Sequence, residues 1–350
     1  MKRDTIPGAE RTRSLPQQAP AGDESKYRLE SSLGEGGMGS VFRIRDQDLD
    51  REVAAKALRP ELAEDPAFVA RFVEEARITG RLQHPNIVPV HDLGISDGIP
   101  YFTMMLVRGE TLRQVIERLV EGDRETHRVF DWARRVAVLL QICDAVSYAH
   151  SRGVLHLDLK PENVMLGTYG EVQVMDWGLA RNQAEASEGT TQGTPVYSAP
   201  EQMKGDALDQ RTDVYGLAAL AYELLSLRPP YEGDDLGQVI QQVLERDPQP
   251  VECYVHAYQG RVPRELSLVL ERALKRDPEQ RFPTVLDMRQ QLHDYLAGQS
   301  PVVCVHTGFK RWVHRLLRLV DRHGKWVIVA TLFWLLFPWF LLMALWLSAY

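Results

Sequence analysis

The stretch His156-Leu157-Asp158-Leu159-Lys160-Pro161-Glu162-Asn163 decides the reading of this chain. It sets a carboxylate, an ammonium and an amide close together, directly after a long helical pattern, "DWARRVAVLLQICDAVSYAHSRG". Working outward, Asp176-Trp177-Gly178 follows it, and a glycine-rich stretch, Gly34-Glu35-Gly36-Gly37-Met38-Gly39-Ser40-Val41, lies far upstream. Glycines let backbone amides approach phosphate oxygens with no Cβ in the way, although such a stretch is more often only a turn. It opens no dinucleotide-binding unit, because a β-like run rather than a helix follows. No Gly-Lys-Ser/Thr ends it, so it is not a Walker A loop.

Next comes Val53-Ala54-Ala55-Lys56, a lysine closing a run of small apolar residues. Here the chain resembles the eukaryotic-type (Hanks-type) protein serine/threonine kinases, in the form of the bacterial membrane-anchored members. The resemblance covers residues 27–296 and implies an α+β, bilobal protein-kinase fold, with a β-rich N-lobe (27–105) and a mostly helical C-lobe (106–296). It implies that Lys56 holds ATP phosphates and pairs with a helix glutamate. Glu75 of "FVEEARI" is the matching position, with Glu74 beside it as the alternative. It also implies that Asp158 accepts the substrate hydroxyl proton and that Lys160 neutralises charge on the transferred group. Asn163 and Asp176 then bind Mg²⁺, a hard cation that suits oxygen ligands. Lysine in "DLKPEN" is the serine/threonine form.

By the same resemblance, ATP is held by Leu33, Gly34, Glu35, Gly36, Gly37, Met38, Gly39, Val41, Ala54 and Lys56 from above and Met165 from below. Met104 is the gatekeeper, and the hinge runs from Met105 to Val107. For the apolar members, plain core packing is the competing reading, and the two are compatible. "GTPVYSAPE" resembles the end of an activation segment, with Thr194 near Asp158 and with Thr190 and Thr191 among its phosphorylatable residues. Glu201 is expected to pair with Arg281, and Asp213 to hold the catalytic-loop backbone.

Three departures stand out. Leu157 replaces an arginine that receives the activation-segment phosphate, and leucine cannot pair with a phosphate. Met105 replaces a common hinge glutamate. Trp177 replaces phenylalanine and is expected to pack on His156 and toward Thr79.

Apolar residues are 44% and charged residues 25% of 350, an ordinary globular balance that supplies a sizeable core. The net charge of −7 argues against nucleic acid as partner. Cys143, Cys253 and Cys304 form no CxxC pair, so neither a zinc site nor a disulfide scaffold is expected. Lys310, Arg311, Arg315, Arg318, Arg322 and Lys325 stand against Asp321 alone, a local +5 that leaves −12 for the rest of the chain. This basic stretch falls in a linker and amphipathic juxtamembrane segment, 297–325. Residues 326–347 then carry no charge, and at 1.5 Å per residue they are long enough to cross a membrane. A buried core helix is the competing reading of that run. Residues 1–26 read as a disordered leader.

The expectation is therefore a single-pass kinase of the cell membrane with its catalytic domain on the cytoplasmic side. It would use ATP and Mg²⁺ and act on Ser/Thr of protein substrates in signal transduction, and a homodimer is among the expected partners. The rival is a pseudokinase acting as a membrane-bound nucleotide-binding scaffold, which the complete catalytic set disfavours.

Overall fold

The structure, a computed structural model, describes residues 26–182 and 193–299. Residues 1–25 of the leader, positions 190 and 191, and the proposed linker and membrane segment from residue 300 onward therefore lie outside the described residues. Among the described residues, no helix is long and apolar enough to cross a membrane. The chain divides into two units, 1–292 and 293–350. In the second, the described residues are 293–299, the end of the last helix and the turn after it.

The N-terminal part is a five-stranded sheet in the order β1-β2-β3-β5-β4. Its strands are β1 (Tyr27–Glu35), β2 (Gly39–Asp46), β3 (Arg51–Leu58), β4 (Val90–Ser96) and β5 (Ile99–Met105), with helix α1 (Pro66–Arg81) between β3 and β4. Side chains alternate across a strand, and β3 uses both faces. Val53 and Ala55 pack with Tyr27, Ile44 and Tyr101 on one side. Leu58 packs with Phe72 and Ala76 of α1 and with Phe102 on the other. Burying an aromatic side chain such as Phe72 contributes ~1.5–3 kcal/mol. The same alternation turns Lys56 toward α1, with its Nζ 6.0 Å from the Phe102 ring centroid.

Helix α1 begins where Asp65 accepts a hydrogen bond from the Ala67 N–H and Pro66 takes the first helical position. It buries Phe72, Glu75, Ala76, Ile78 and Thr79. Glu75 is the misfit on that face, and its partner is described below.

After the turn at 106–108 the chain is mostly helical. Strand β6 (Gly109–Thr111) leads into α2 (Leu112–Glu121), whose N-terminus is closed by a capping box between Thr111 and Gln114. Helices α3 (Arg124–Val129) and α4 (Trp132–Ser151) follow, then strands β7 (Val154–Leu155), β8 (Val164–Gly167), β9 (Val172–Val174) and β10 (Arg181–Asn182). Strands β6, β8 and β9 form a small sheet in the order β6-β8-β9, which pins the loop 156–163 beneath the cleft. The remainder comprises α5 (Pro200–Lys204), α6 (Gln210–Ser226), α7 (Leu236–Glu245), the hairpin β11 (Val255–His256) and β12 (Gly260–Arg261), α8 (Arg264–Ala273) and α9 (Val285–Leu296). Helix α6 is the axis of this part, buried at every position from 212 to 226.

Candidate active site

The site is built around two clusters. In the first, Lys56 Nζ lies 2.6 Å from Glu75 Oε1 and 3.1 Å from Asp176 Oδ1. Burial opposes the charge on Lys56, but the carboxylates of Asp176 and Glu75 outweigh it and hold its pKa above the ordinary value. Burial pushes Glu75 up to about 7, against the pull of Lys56 and with help from the Asp176 carboxylate. Asp176 goes the other way: burial resists ionisation, yet Lys56 first, then Lys160 and His156, hold its carboxyl below the usual range. Glu74 instead lies near the surface, 3.4 Å from Arg81. Glu75 is thus the glutamate that reaches the lysine.

The second cluster is the loop itself. Lys160 Nζ donates to Asp158 Oδ2 at 2.7 Å and to Thr194 Oγ1 at 3.1 Å. The Thr194 hydroxyl donates to Asp158 Oδ1 at 3.4 Å. Asn163 Nδ2 donates to the Asp158 carbonyl at 2.8 Å and to Oδ2 at 3.2 Å. The loop is held from below by Asp213, which accepts from the N–H groups of His156 and Leu157, each at 2.8 Å, and from His150 Nε2 at 2.7 Å. Burial opposes the charge on Asp213, and the hydrogen bond from His150 leads the groups that hold its carboxyl below the usual range.

Two non-glycine residues here have positive φ, Leu157 at 65° and Asp176 at 56°. Such backbone costs of order 1–3 kcal/mol and persists where its surroundings over-determine it. For Leu157 those surroundings are the Asp213 bonds and an apolar cluster with Leu155, Leu208 and Leu179. The position that the family resemblance fills with arginine is therefore a buried leucine.

The indole of Trp177 is buried against His156, ring centroids 4.5 Å apart. The hydroxyl of Thr79 is turned onto its own helix, donating to the Glu75 carbonyl at 2.8 Å. Glu201 and Arg281 form a buried fork, 2.6 and 2.8 Å.

The residues that the family resemblance assigns to the nucleotide fall on five strands, β1, β2, β3, β5 and β8, and the segments beside them. The turn between β1 and β2 is closed by a hydrogen bond from the Gly36 N–H to the Gly39 carbonyl, 2.8 Å. Leu33 and Glu35 are exposed, and Gly34 and Gly37 have open space where a Cβ would stand. Gly39 is different: a Cβ there would lie 2.5 Å from the Ala57 carbonyl oxygen, so close strand packing already requires glycine. Val41 pairs with Lys56 in register, and Ala54 with Met104. Met165 is half-buried on β8. The Met105 N–H donates to the Pro89 carbonyl at 3.0 Å. Met38, at the tip of the glycine turn, packs against the cluster of Leu58, Phe72, Ala76 and Phe102.

The donor chemistry fits a hard divalent cation. Asn163 directs its amide hydrogens to Asp158, which leaves its oxygen as the outward acceptor. Asp176 uses Oδ1 for Lys56 and is 44% exposed, which leaves Oδ2 accessible. An amide oxygen and a carboxylate oxygen suit Mg²⁺ rather than a soft metal.

Sequence reading missed the network that Arg113 of α2 and Glu223 of α6 form with Tyr197 and with Glu162 of the loop. Glu223 is its buried end, and Glu162 its exposed one. The available signal was Glu223 inside the apolar run of α6.

A two-lobed fold with a lysine–glutamate pair above a carboxylate–lysine–threonine loop defines a phosphoryl-transfer enzyme of the kinase class. The chain belongs to the protein kinase domain family, whose match covers residues 27–295. It is 35% identical over 304 residues to the serine/threonine-protein kinase PknD of Protochlamydia amoebophila, covering 80% of this chain and 31% of that protein. It is 37% identical over 291 residues to the serine/threonine-protein kinase PknB of Mycobacterium tuberculosis, covering 81% of this chain and 45% of that one. With PknB of Mycolicibacterium smegmatis it shares 37% over 285 residues, 79% and 44% of the two chains. The chain spans less than half the length of these curated relatives.

Proposed function

We propose that this chain is an ATP-dependent protein serine/threonine kinase. The observation that carries the reading is the convergence of Lys160, Thr194 and Asn163 on Asp158, beside a Lys56 held by Glu75 and Asp176. Asp158 accepts the proton of the substrate Ser or Thr hydroxyl, and that oxygen forms the new bond to the γ-phosphorus of ATP as the bond from that phosphorus to the bridging oxygen breaks and ADP leaves. Lys160 stands beside the same carboxylate and offsets negative charge on the transferred group. Lys56 is positioned for the phosphates, and Glu75 fixes where its ammonium points. Asn163 and Asp176 would hold Mg²⁺, which when bound supplies charge neutralisation along the phosphates. The lysine in the loop and the threonine at 194 favour Ser/Thr over Tyr as acceptor.

The test is incorporation of labelled phosphate by the full chain with Mg-ATP and a generic protein substrate. Asp158→Asn is expected to lower it ~10²–10⁴-fold, the usual range for a general base, and Lys56→Met to remove it. Incorporation equal to wild type in both variants would sink the assignment.

The second part of the proposal is a membrane tether through residues 326–347, with the kinase domain cytoplasmic. Its support is the uncharged run and the basic cluster that precedes it. A chain ending at residue 308 is expected in the soluble fraction with kinase activity. Fractionation of that shorter chain with membranes counts against the tether.

A further inference from the structure

One charged network beside the loop takes no part in the chemistry above. Arg113 of α2 donates from Nε to Glu162 Oε1 at 2.8 Å and from Nη1 to Glu223 Oε1 at 2.6 Å. Its Nη2 reaches Glu223 Oε2 at 3.1 Å and the Tyr197 hydroxyl. The Tyr197 hydroxyl in turn donates to Glu223 Oε2 at 2.5 Å. Burial works against the Arg113 charge, but the hydrogen bonds to Glu223 and the neighbouring acidic groups raise its pKa well above the ordinary value.

The network borders the acceptor side of the site. Glu162 adjoins Asn163 in the loop that carries Asp158, and Tyr197 lies one turn beyond Thr194, which touches Asp158. Glu223 is nearly buried at 8% exposure, whereas Glu162 is 46% exposed. Two carboxylates from different elements thus converge at the edge of the phosphoacceptor site, and a cation from a third element already sits between them. A fork-shaped guanidinium matches paired carboxylates better than any other side chain. Left bare, the same pair would attract a cationic substrate side chain.

We infer that Arg113 is a specificity-determining residue: it fills an acidic subsite from within the chain and frees the enzyme from needing a basic residue beside its target Ser or Thr. The inference rests on the kinase reading above. A substrate arginine would have to displace a guanidinium that is already in place, covalently tethered and making four hydrogen bonds, so it gains little. A purely structural role for Arg113, tying α2 to α6 and the loop, would instead affect all substrates alike.

The experiment is a peptide library on the full chain, with a fixed Ser/Thr and arginine scanned through the flanking positions. Wild type is expected to favour arginine less than threefold at every position. Arg113→Met is expected to raise that preference fivefold or more at one position at least, and adding Glu162→Gln to bring it back toward wild type. An Arg113→Met profile that matches wild type, or a wild type that already demands arginine, overturns the inference while leaving the kinase reading intact. If Arg113→Met does not fold by thermal melting, Arg113→Lys decides. Lysine supplies charge without the fork, so a gain of twofold or more is expected, and an unchanged profile overturns the inference. A wild type that transfers phosphate to no peptide and no protein overturns both readings.

Discussion

Glu75 gives one carboxylate oxygen to Lys56 at 2.6 Å, while its other oxygen is buried with no hydrogen-bond partner among the described residues. The folded protein therefore holds the Glu75 proton up to about pH 7, whereas the unfolded chain releases it near 4.5. Between those values the folded state binds more protons than the unfolded state, so the Glu75 contribution to stability falls as pH rises through the window. The slope is up to ~1.4 kcal/mol per pH unit. Glu75→Gln cannot titrate and is expected to lack this component, while losing activity because Lys56 loses its anchor. Urea unfolding of both proteins at several pH values checks it. Parallel curves for wild type and Glu75→Gln would show that Glu75 does not carry the effect.

Trp177 is almost fully buried, and its indole N–H has no partner among the described residues. Replacing it by phenylalanine loses packing but also removes a buried donor that costs ~1–3 kcal/mol to leave unpaired. The two effects oppose, so Trp177→Phe is expected within ~1.5 kcal/mol of wild type in chemical denaturation. Trp177→Ala creates a cavity with no such relief and is expected to lose ~3–5 kcal/mol. Equal losses for the two variants would contradict this balance.

Leu157 sits in an apolar cluster rather than a basic pocket. Leu157→Arg places an unpaired guanidinium there, and is expected to lower stability by a few kcal/mol without raising the kinase rate. In the same vein, the triple alanine variant at Ser187, Thr190 and Thr191 is expected to keep its rate on an external substrate within tenfold. A larger drop, above ~1.4 kcal/mol in barrier, would show control by phosphorylation despite the leucine.

Arg281 donates to Glu201 and also to the carbonyls of Lys275, Arg211 and Arg276. Breaking a buried pair costs ~3–5 kcal/mol. Glu201→Gln leaves an uncharged acceptor on the fork, while Arg281→Met abandons three carbonyls and a buried carboxylate. The arginine variant is therefore expected to melt well below the glutamine variant, and the reverse order would be informative against this accounting of partners.

Much of this was legible in the sequence because phosphoryl transfer needs particular groups at particular places. Lys56, Asp158, Asn163 and Asp176 stand in the order and setting that the chemistry demands, and the structure brings all four to one cleft. The β-like run after the glycine-rich stretch is β2, and the small apolar run that Lys56 closes lies in β3. What escaped was of two kinds. Strands β6, β8 and β9 are only three or four residues long, too short for a period-2 pattern to register. Arg113 looked like one more charge on a helix, because its partners lie 49, 84 and 110 residues away. Gly39 was legible as a member of the glycine-rich stretch, and the structure adds a reason of its own, since the neighbouring strand forbids a Cβ there.

Asp213 grips the loop by its peptide nitrogens at positions 156 and 157, not by any side chain. The backbone that carries Asp158 is therefore held through peptide groups as well as through the Leu157 side chain. That side chain, pointing into the Leu155–Leu208–Leu179 cluster, is a separate channel. Input and output occupy different parts of the same short peptide. A substitution at 157 thus acts first on the apolar packing below the loop, while the amides that set the height of Asp158 stay tied to α6.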